Sequence, residues 1–140
     1  MLHDEPDLLA VAADHRLATI ANMPLAMGLL SGKYDAASRL SAQDVRGSGH
    51  SWVRYFSDGR PDPAFLAWLA AVREVLTSGG RTLAQGALAW LMARTATTIA
   101  IPGFKNLHQA EENAGALALG PLEPAAMRQI QALLAEPGLA

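Results

Sequence analysis

Two short runs rich in apolar and β-branched residues constrain the fold of this chain more than any other feature. They read LATIANM at residues 17–23 and TATTIAI at residues 95–101. Neither run alternates regularly between apolar and polar residues, and such continuity is typical of strands buried on both faces of a parallel sheet. Helical patterns precede, separate and follow the two runs, so the sequence predicts an α/β fold built from parallel βαβ units.

Five segments show helical spacing of apolar residues or helix-capping signals. They lie near residues 5–16, 63–77, 82–94, 106–117 and 124–135. Thr82 and Gln85 form a predicted capping box, and Asn106 with Gln109 forms a weaker pair of the same kind. Pro124 occupies a first-turn position, where its missing N–H is not needed. The predicted order is therefore helix, strand, long loop, two helices, strand and two helices.

The segment after the first strand, residues 24–63, is predicted to be mostly loop. Five glycines interrupt it, and loops of this length often carry function. Two parallel strands cannot cover their own outer edges. The 140 residues are thus expected to form one domain, but a domain whose sheet is incomplete.

Composition excludes several classes of partner and site. The net charge is −2, from 11 basic and 13 acidic residues, and Arg46, Arg54 and Arg60 form no dense basic stripe, so no nucleic acid is expected. Cysteine is absent, which excludes disulfides and thiolate chemistry and fits a cytoplasmic protein. The acidic N-terminus MLHDEPDLL does not resemble a secretory signal, and no apolar run is long enough to span a membrane.

A glycine-bearing loop follows each predicted strand, and in parallel α/β structures such loops bind ligands. In the first loop, Gly28 and Gly32 allow close approach of the backbone to a ligand, and Lys33 adds a positive charge. In the second loop, Gly103 allows a tight turn and Lys105 stands at the entrance to a helix. The amide-rich N-terminus of that helix suits a phosphate.

Gln109 and Asn113 are four residues apart on one face of that helix. Their amide groups can both donate and accept hydrogen bonds, so together they suit the edge of a purine base. A purely structural interpretation stays open at this point. In that interpretation Gly103 closes a turn, Lys105 is solvated, and the two amides are polar surface.

Three ordered segments resemble motifs of the aldo-keto reductase family. PLAMGLLSGKY at 24–34 is similar to PLAxGLLTGKY after the seventh barrel strand, and TLAQGALAWLMAR at 82–94 is similar to TPAQLALAWLL. IPGFKNLHQAEENAGAL at 101–117 resembles IPGxRxxxQxxENxxAL after the eighth strand. Phe104 and Met23 depart from the residues common at their positions.

The resemblance implies a partial (β/α)8 TIM barrel over residues 1–140, formed by about the last two βα units and the C-terminal helix. It also implies that the chain binds NADP(H). Leu25, Gly28 and Leu29 would line the pyrophosphate, with Lys33 nearby. The adenosine end would meet a second set of residues, Gly103 and Lys105 at the 2′-phosphate and Gln109, Glu112 and Asn113 at the adenine.

Catalysis in the family uses an Asp, Tyr, Lys and His set from the first half of the barrel, and these positions would lie upstream of Met1. Tyr34, Tyr55 and His50 stand in the long loop without matching Asp and Lys partners. No catalytic residue is therefore assigned. The remaining histidines lack partners at helical spacing, so no metal site is expected.

Three hypotheses for function follow from these observations. The chain is the NADP(H)-binding part of a carbonyl reductase, inactive alone and completed by an N-terminal barrel half. Alternatively it is a non-catalytic module that binds a dinucleotide or self-associates through exposed strand edges. The third hypothesis is a truncated relic whose unpaired edges make it insoluble or oligomeric.

Overall fold

The computed structural model describes residues 6–135, which contain five α-helices and four short strands. The predicted helix start at residue 5 lies outside this range. The elements in chain order are α1 (Pro6–Asp14), β1 (Thr19–Ala21), β2 (Phe56–Ser57), β3 (Arg60–Pro61), α2 (Pro63–Leu76), α3 (Leu83–Arg94), β4 (Thr98–Ala100), α4 (Leu107–Leu119) and α5 (Pro124–Leu134).

Local sequence signals determine where the longer helices begin. Asp62 caps α2 by accepting a hydrogen bond from the Ala64 backbone N–H at 2.9 Å. The predicted capping box of α3 is confirmed, since Thr82 and Gln85 each bond the backbone N–H of the other at 3.0–3.2 Å. Pro124 occupies the first turn of α5, where a proline removes no hydrogen bond.

The two predicted strands pair in parallel as β1 and β4, with Ile20 opposite Ile99. Each strand has three residues, so both are shorter than the runs that predicted them. The expectation that they are buried on both faces is wrong for the part of the chain described, because Ile20, Ile99 and Ile101 are 52–65% exposed. These three side chains share one face of the sheet, and no element of residues 6–135 covers that face.

The core lies between α2, α3, α5 and the turn that follows β1. Its most buried side chains include Leu29, Leu69, Val72 and Ile130. The helices approach closely at Gly86, where a Cβ atom would lie 2.0 Å from the carbonyl oxygen of Leu76. A glycine at this position therefore allows α3 to cross the end of α2.

The segment 24–63 is mostly loop, as predicted, but it also contains short regular elements. It contains two 3₁₀ turns, at Ala26–Ser31 and Val45–Gly47, and the antiparallel pair β2–β3. Asp58 and Gly59 join these strands with φ values of 49° and 71°, as the favoured two-residue hairpin turn requires. The Asp-Gly dipeptide was a sequence signal for this hairpin, and the prediction of mostly loop missed it. Within residues 6–135 no helix combines the length and apolar character needed to cross a bilayer.

Candidate functional site

The loops that follow β1 and β4 lie side by side because the two strands are parallel neighbours. Between them is a groove of about 370 Å³, which both loops line. A second hollow of about 80 Å³ adjoins it beside α4 and shares residues with it. Eight of the nine predicted binding residues line the groove or the hollow: Leu25, Gly28, Lys33, Gly103, Lys105, Gln109, Glu112 and Asn113.

Leu29 is the ninth predicted residue, and its side chain does not face the groove. It is fully buried in the core against the helices. The large apolar side chain anchors the turn, so only the backbone of Leu29 is left to approach a ligand. The prediction that Leu29 lines the pyrophosphate therefore concerns its backbone N–H and not its side chain.

The first loop has a left-handed backbone over three consecutive residues. Ala26, Met27 and Gly28 have φ values of 48°, 55° and 96°. This conformation costs non-glycine residues about 1–2 kcal/mol each. The turn is held by bonds from the Gly28 N–H to Leu25 O at 2.8 Å and from Ser31 Oγ to Gly28 O at 2.7 Å. Turns of this kind gather backbone N–H groups into concave anion sites.

The second loop has a glycine that neither conformation nor packing explains. Gly103 does not have the positive φ that favours glycine, and an added Cβ would meet no atom within 4 Å. The space that a side chain would fill opens to the groove that Gly103 lines. A glycine there lets a ligand approach the backbone closely.

The start of α4 ties the second loop in place. Asn106 caps the helix by accepting from the Gln109 N–H at 2.9 Å. The predicted reciprocal bond of this pair is absent, because the Gln109 side chain accepts from the Lys105 N–H at 2.8 Å instead. Asn113 is nearly buried, and its Nδ2 makes a long contact of 3.5 Å with Gly103 O. Gln109 thus keeps its amide donor and Asn113 its amide acceptor for a ligand.

Three cationic side chains line the groove, and only two of them, Lys33 and Lys105, were predicted from the sequence. The third is Arg46, which lies on the long loop. Its guanidinium forms a bidentate pair with Asp44, with N–O distances of 2.6 and 2.7 Å. Arg46 Nη1 also donates to the carbonyl of Met27 at 3.1 Å. Because this contact joins distant loop positions, no local sequence pattern indicated it.

The charges at this site influence one another. Hydrogen bonds from Arg46, together with a smaller effect of the Lys105 charge, hold the pKa of Asp44 well below its usual range. The bond to Asp44 likewise raises the pKa of Arg46. Asp44 is therefore a carboxylate at neutral pH, and it neutralises Arg46 while Lys33 and Lys105 remain at the groove as cations.

A family model described as the aldo/keto reductase family matches residues 1–135, nearly the whole chain. This chain belongs to the aldo/keto reductase family. The chain is also 30% identical over 125 residues to aldo-keto reductase str7 of Strobilurus tenacellus. This match covers 88% of the chain and 36% of the relative.

Two further relatives have comparable similarity. L-glyceraldehyde 3-phosphate reductase of Escherichia coli (strain K12) is 31% identical over 81% of the chain and 32% of its own length. Aflatoxin B1 aldehyde reductase member 2 of Mus musculus is 30% identical over 86% of the chain and 36% of its own length. The chain thus spans about a third of these relatives.

Membership of the aldo/keto reductase family agrees with the partial barrel predicted from sequence. The family fold is a (β/α)8 barrel, and the parallel pair β1–β4 with its helices is a small α/β portion consistent with part of one. The family generally uses NADP(H). The empty space at Gly103, between two loops that carry Lys33 and Lys105, is compatible with such a phosphate-bearing ligand.

The aromatic loop residues that received no catalytic role make packing contacts. The Tyr34 ring meets Phe56 edge-on at 5.7 Å, and its hydroxyl accepts a hydrogen bond from Arg46. Tyr55 packs on Phe65 at 5.0 Å. Among residues 6–135, no cluster of three His, Asp or Glu side chains has an arrangement that suits a metal ion.

Proposed function

We propose that this chain is the NADP(H)-binding part of an aldo-keto reductase and that it takes part in carbonyl reduction. The observation that carries this proposal is the groove between the two loops. It combines a left-handed backbone turn, a glycine beside empty space and the chain's two lysines, Lys33 and Lys105. The chemistry that NADPH supplies when bound is hydride transfer to a carbonyl carbon.

The two ends of the groove suit different parts of the dinucleotide. The turn at 25–29 and Lys33 would hold the pyrophosphate through backbone N–H groups and one positive charge. Lys105 and the N-terminus of α4 would hold the 2′-phosphate. The free donor of Gln109 and the free acceptor of Asn113 match the adenine edge, with Glu112 lining the same hollow.

The matched pair of lysines tests this assignment. NADPH and NADH are titrated by fluorescence against the wild type, Lys105→Met and Lys33→Met. The Lys105→Met change should weaken NADPH binding about tenfold or more and leave NADH binding unchanged, because only NADPH has the 2′-phosphate. The Lys33→Met change should weaken both nucleotides alike. An equal loss of affinity for both nucleotides in Lys105→Met would contradict the proposed 2′-phosphate contact.

The substrate class that we propose is an aldehyde. The E. coli and mouse relatives are named for the reduction of an aldehyde, and a further relative is pyridoxal reductase of Arabidopsis thaliana. We infer that the acid–base residues come from polypeptide other than residues 6–135. Mixing the chain with NADPH and aldehydes should then give no loss of absorbance at 340 nm. Turnover by the chain alone would refute this inference.

The exposed sheet face supports a second proposal, that further barrel strands cover β1 and β4. Ile20, Ile99 and Ile101 present apolar surface there, and strand edges with free backbone groups attract other strands. Co-expression with the first six βα units of a relative should give a soluble complex with reductase activity. A non-catalytic module would bind NADPH but stay inactive in that mixture, and a relic would show no cooperative unfolding.

A further inference from the structure

We propose that Arg46 is a positioning residue that holds the turn at Ala26–Gly28 in the shape required for a diphosphate to approach the backbone. This inference rests on the proposed function, since it concerns the same groove. Arg46 lies outside both family motifs that border the groove. Its role follows from its hydrogen bonds, which join the 3₁₀ turn at Val45–Gly47 to the turn at Ala26–Gly28.

Almost all the hydrogen-bonding capacity of Arg46 is used within the protein. A guanidinium has five N–H donors. Its Nε and Nη2 each donate to a carboxylate oxygen of Asp44 at 2.7 and 2.6 Å. Its Nη1 donates both to Met27 O at 3.1 Å and to the Tyr34 hydroxyl. One N–H is left, so Arg46 acts on the groove mainly through the loop that it holds.

The carbonyl that Arg46 holds belongs to the middle residue of the left-handed turn. Met27 has a φ of 55° between Ala26 at 48° and Gly28 at 96°. Backbone in this region persists only where its surroundings enforce it, and such strain is often found at functional sites. A charge-assisted bond to Met27 O is an interaction from outside the turn that favours this conformation.

Arg46 is itself fixed, so it can serve as a support. Its side chain is only 11% exposed. The guanidinium carbon lies 5.1 Å from the Tyr34 ring centre and 5.9 Å from that of Phe56 on β2. Asp44 fixes the orientation of the planar guanidinium through two hydrogen bonds. Phe56 on β2 and the 3₁₀ turn at Val45–Gly47 therefore support the turn at Ala26–Gly28 through Arg46.

Lysine cannot replace arginine in this arrangement. A Lys ammonium is a point charge and cannot bond Asp44 in a fork while also reaching Met27 O and Tyr34. A direct anion ligand at this position would tolerate Arg46→Lys, whereas a positioning residue would not. Arg46→Met and Arg46→Lys are therefore expected to behave alike. Arg60→Met is the matched control, because Arg60 is an exposed residue of β3, within the same segment 24–63, and does not line the groove.

Two measurements test the proposal. Hydrogen–deuterium exchange on the ligand-free protein should show amides of residues 26–32 exchanging at least tenfold faster in both Arg46 variants and unchanged in Arg60→Met. Amides in α2 and α3 should keep their protection, which shows that the variants fold. NADPH and NADH should both bind about tenfold more weakly in the Arg46 variants, in contrast to the selective loss expected for Lys105→Met.

Several results would overturn the proposal. Unchanged exchange at residues 26–32 would show that Arg46 does not hold the turn. Wild-type affinity in Arg46→Lys would make the residue a direct anion ligand, and faster exchange with unchanged affinity would remove its role in binding. Failure of the wild type to bind either nucleotide would instead reject the proposed function, and the exchange data would then still decide whether Arg46 holds the turn.

Discussion

Replacing Gly103 with alanine should stabilise the folded chain and weaken nucleotide binding at the same time. Gly103 has no positive φ, and a Cβ added to it would meet nothing within 4 Å. Alanine can therefore adopt the native backbone without strain or clash. It restricts the unfolded chain more than glycine does, and the expected gain is about 0.4–1 kcal/mol in the free energy of unfolding.

Binding should respond in the opposite direction. The space beside Gly103 belongs to the groove lined by Lys105 and Gln109, and the proposed 2′-phosphate needs that space to approach the second loop. A methyl group there would displace the phosphate from a charge-assisted hydrogen bond. Such bonds contribute about 1.5–3 kcal/mol, so the NADPH dissociation constant should rise roughly ten- to a hundredfold.

The assay is urea unfolding followed by tryptophan fluorescence, paired with NADPH titration of the same samples. Gly120→Ala is the control: Gly120 also has open space around it, but it lies outside the groove and has a φ of 73°. That variant should lose about 1–3 kcal/mol, because the backbone of Gly120 (φ 73°, ψ −175°) lies in a region that is essentially restricted to glycine, and it should keep its affinity. A destabilised Gly103→Ala, or one that binds NADPH as the wild type does, would refute the reasoning.

Four further predictions concern packing, capping, charge and the sheet. Gly86→Ala should lower the free energy of unfolding by about 2 kcal/mol, because its Cβ would meet Leu76 O at 2.0 Å; urea titration measures this. Thr82→Ala should cost about 1 kcal/mol in the same assay, since it removes the α3 cap. The pKa of Asp44 is depressed in the folded protein, so Asp44→Asn should lower the free energy of unfolding at pH 7. Urea titrations should show the difference in unfolding free energy between wild type and variant shrinking only below about pH 4. Ile99→Thr should weaken the complex with the co-expressed first six βα units in sedimentation velocity, because Ile99 is 52% exposed, and an unchanged complex would contradict the proposed role of the sheet face.

Features that depend on contiguous residues were predictable from the sequence. The capping box at Thr82 and Gln85 forms within one turn of helix and needs no distant contact. The two sides of the groove are likewise contiguous segments, and they meet because parallel neighbouring strands bring the following loops to one edge. Placing Lys33 and Lys105 together therefore required only the correct assignment of two strands.

Features that depend on distant contacts were not predictable in the same way. Arg46 reaches Met27 across 19 positions of a loop with no regular pattern. Leu29 lies within a motif whose backbone faces the groove, yet its side chain fills the core. Residue type alone does not separate these two orientations. The Gln109 side chain accepts a hydrogen bond from the Lys105 N–H and not, as the predicted capping pair requires, from the Asn106 N–H. Which of these two donors it meets depends on the path of the preceding loop.

The exposed sheet face explains why the strand prediction was right in position and wrong in burial. Burying one isoleucine fully contributes about 1.5–3 kcal/mol, so covering the exposed halves of Ile20, Ile99 and Ile101 would contribute roughly 3 kcal/mol in total. That is a large fraction of the net stability of a typical domain. Apolar strands of this composition are suited to a sheet covered on both faces, and residues 6–135 cover only one.

The same polypeptide that buries this face would also stand beside the carboxyl ends of β1 and β4, where the groove opens. Under the proposed function, covering the sheet and completing the site are therefore one structural requirement, which the remaining strands of a family barrel would meet.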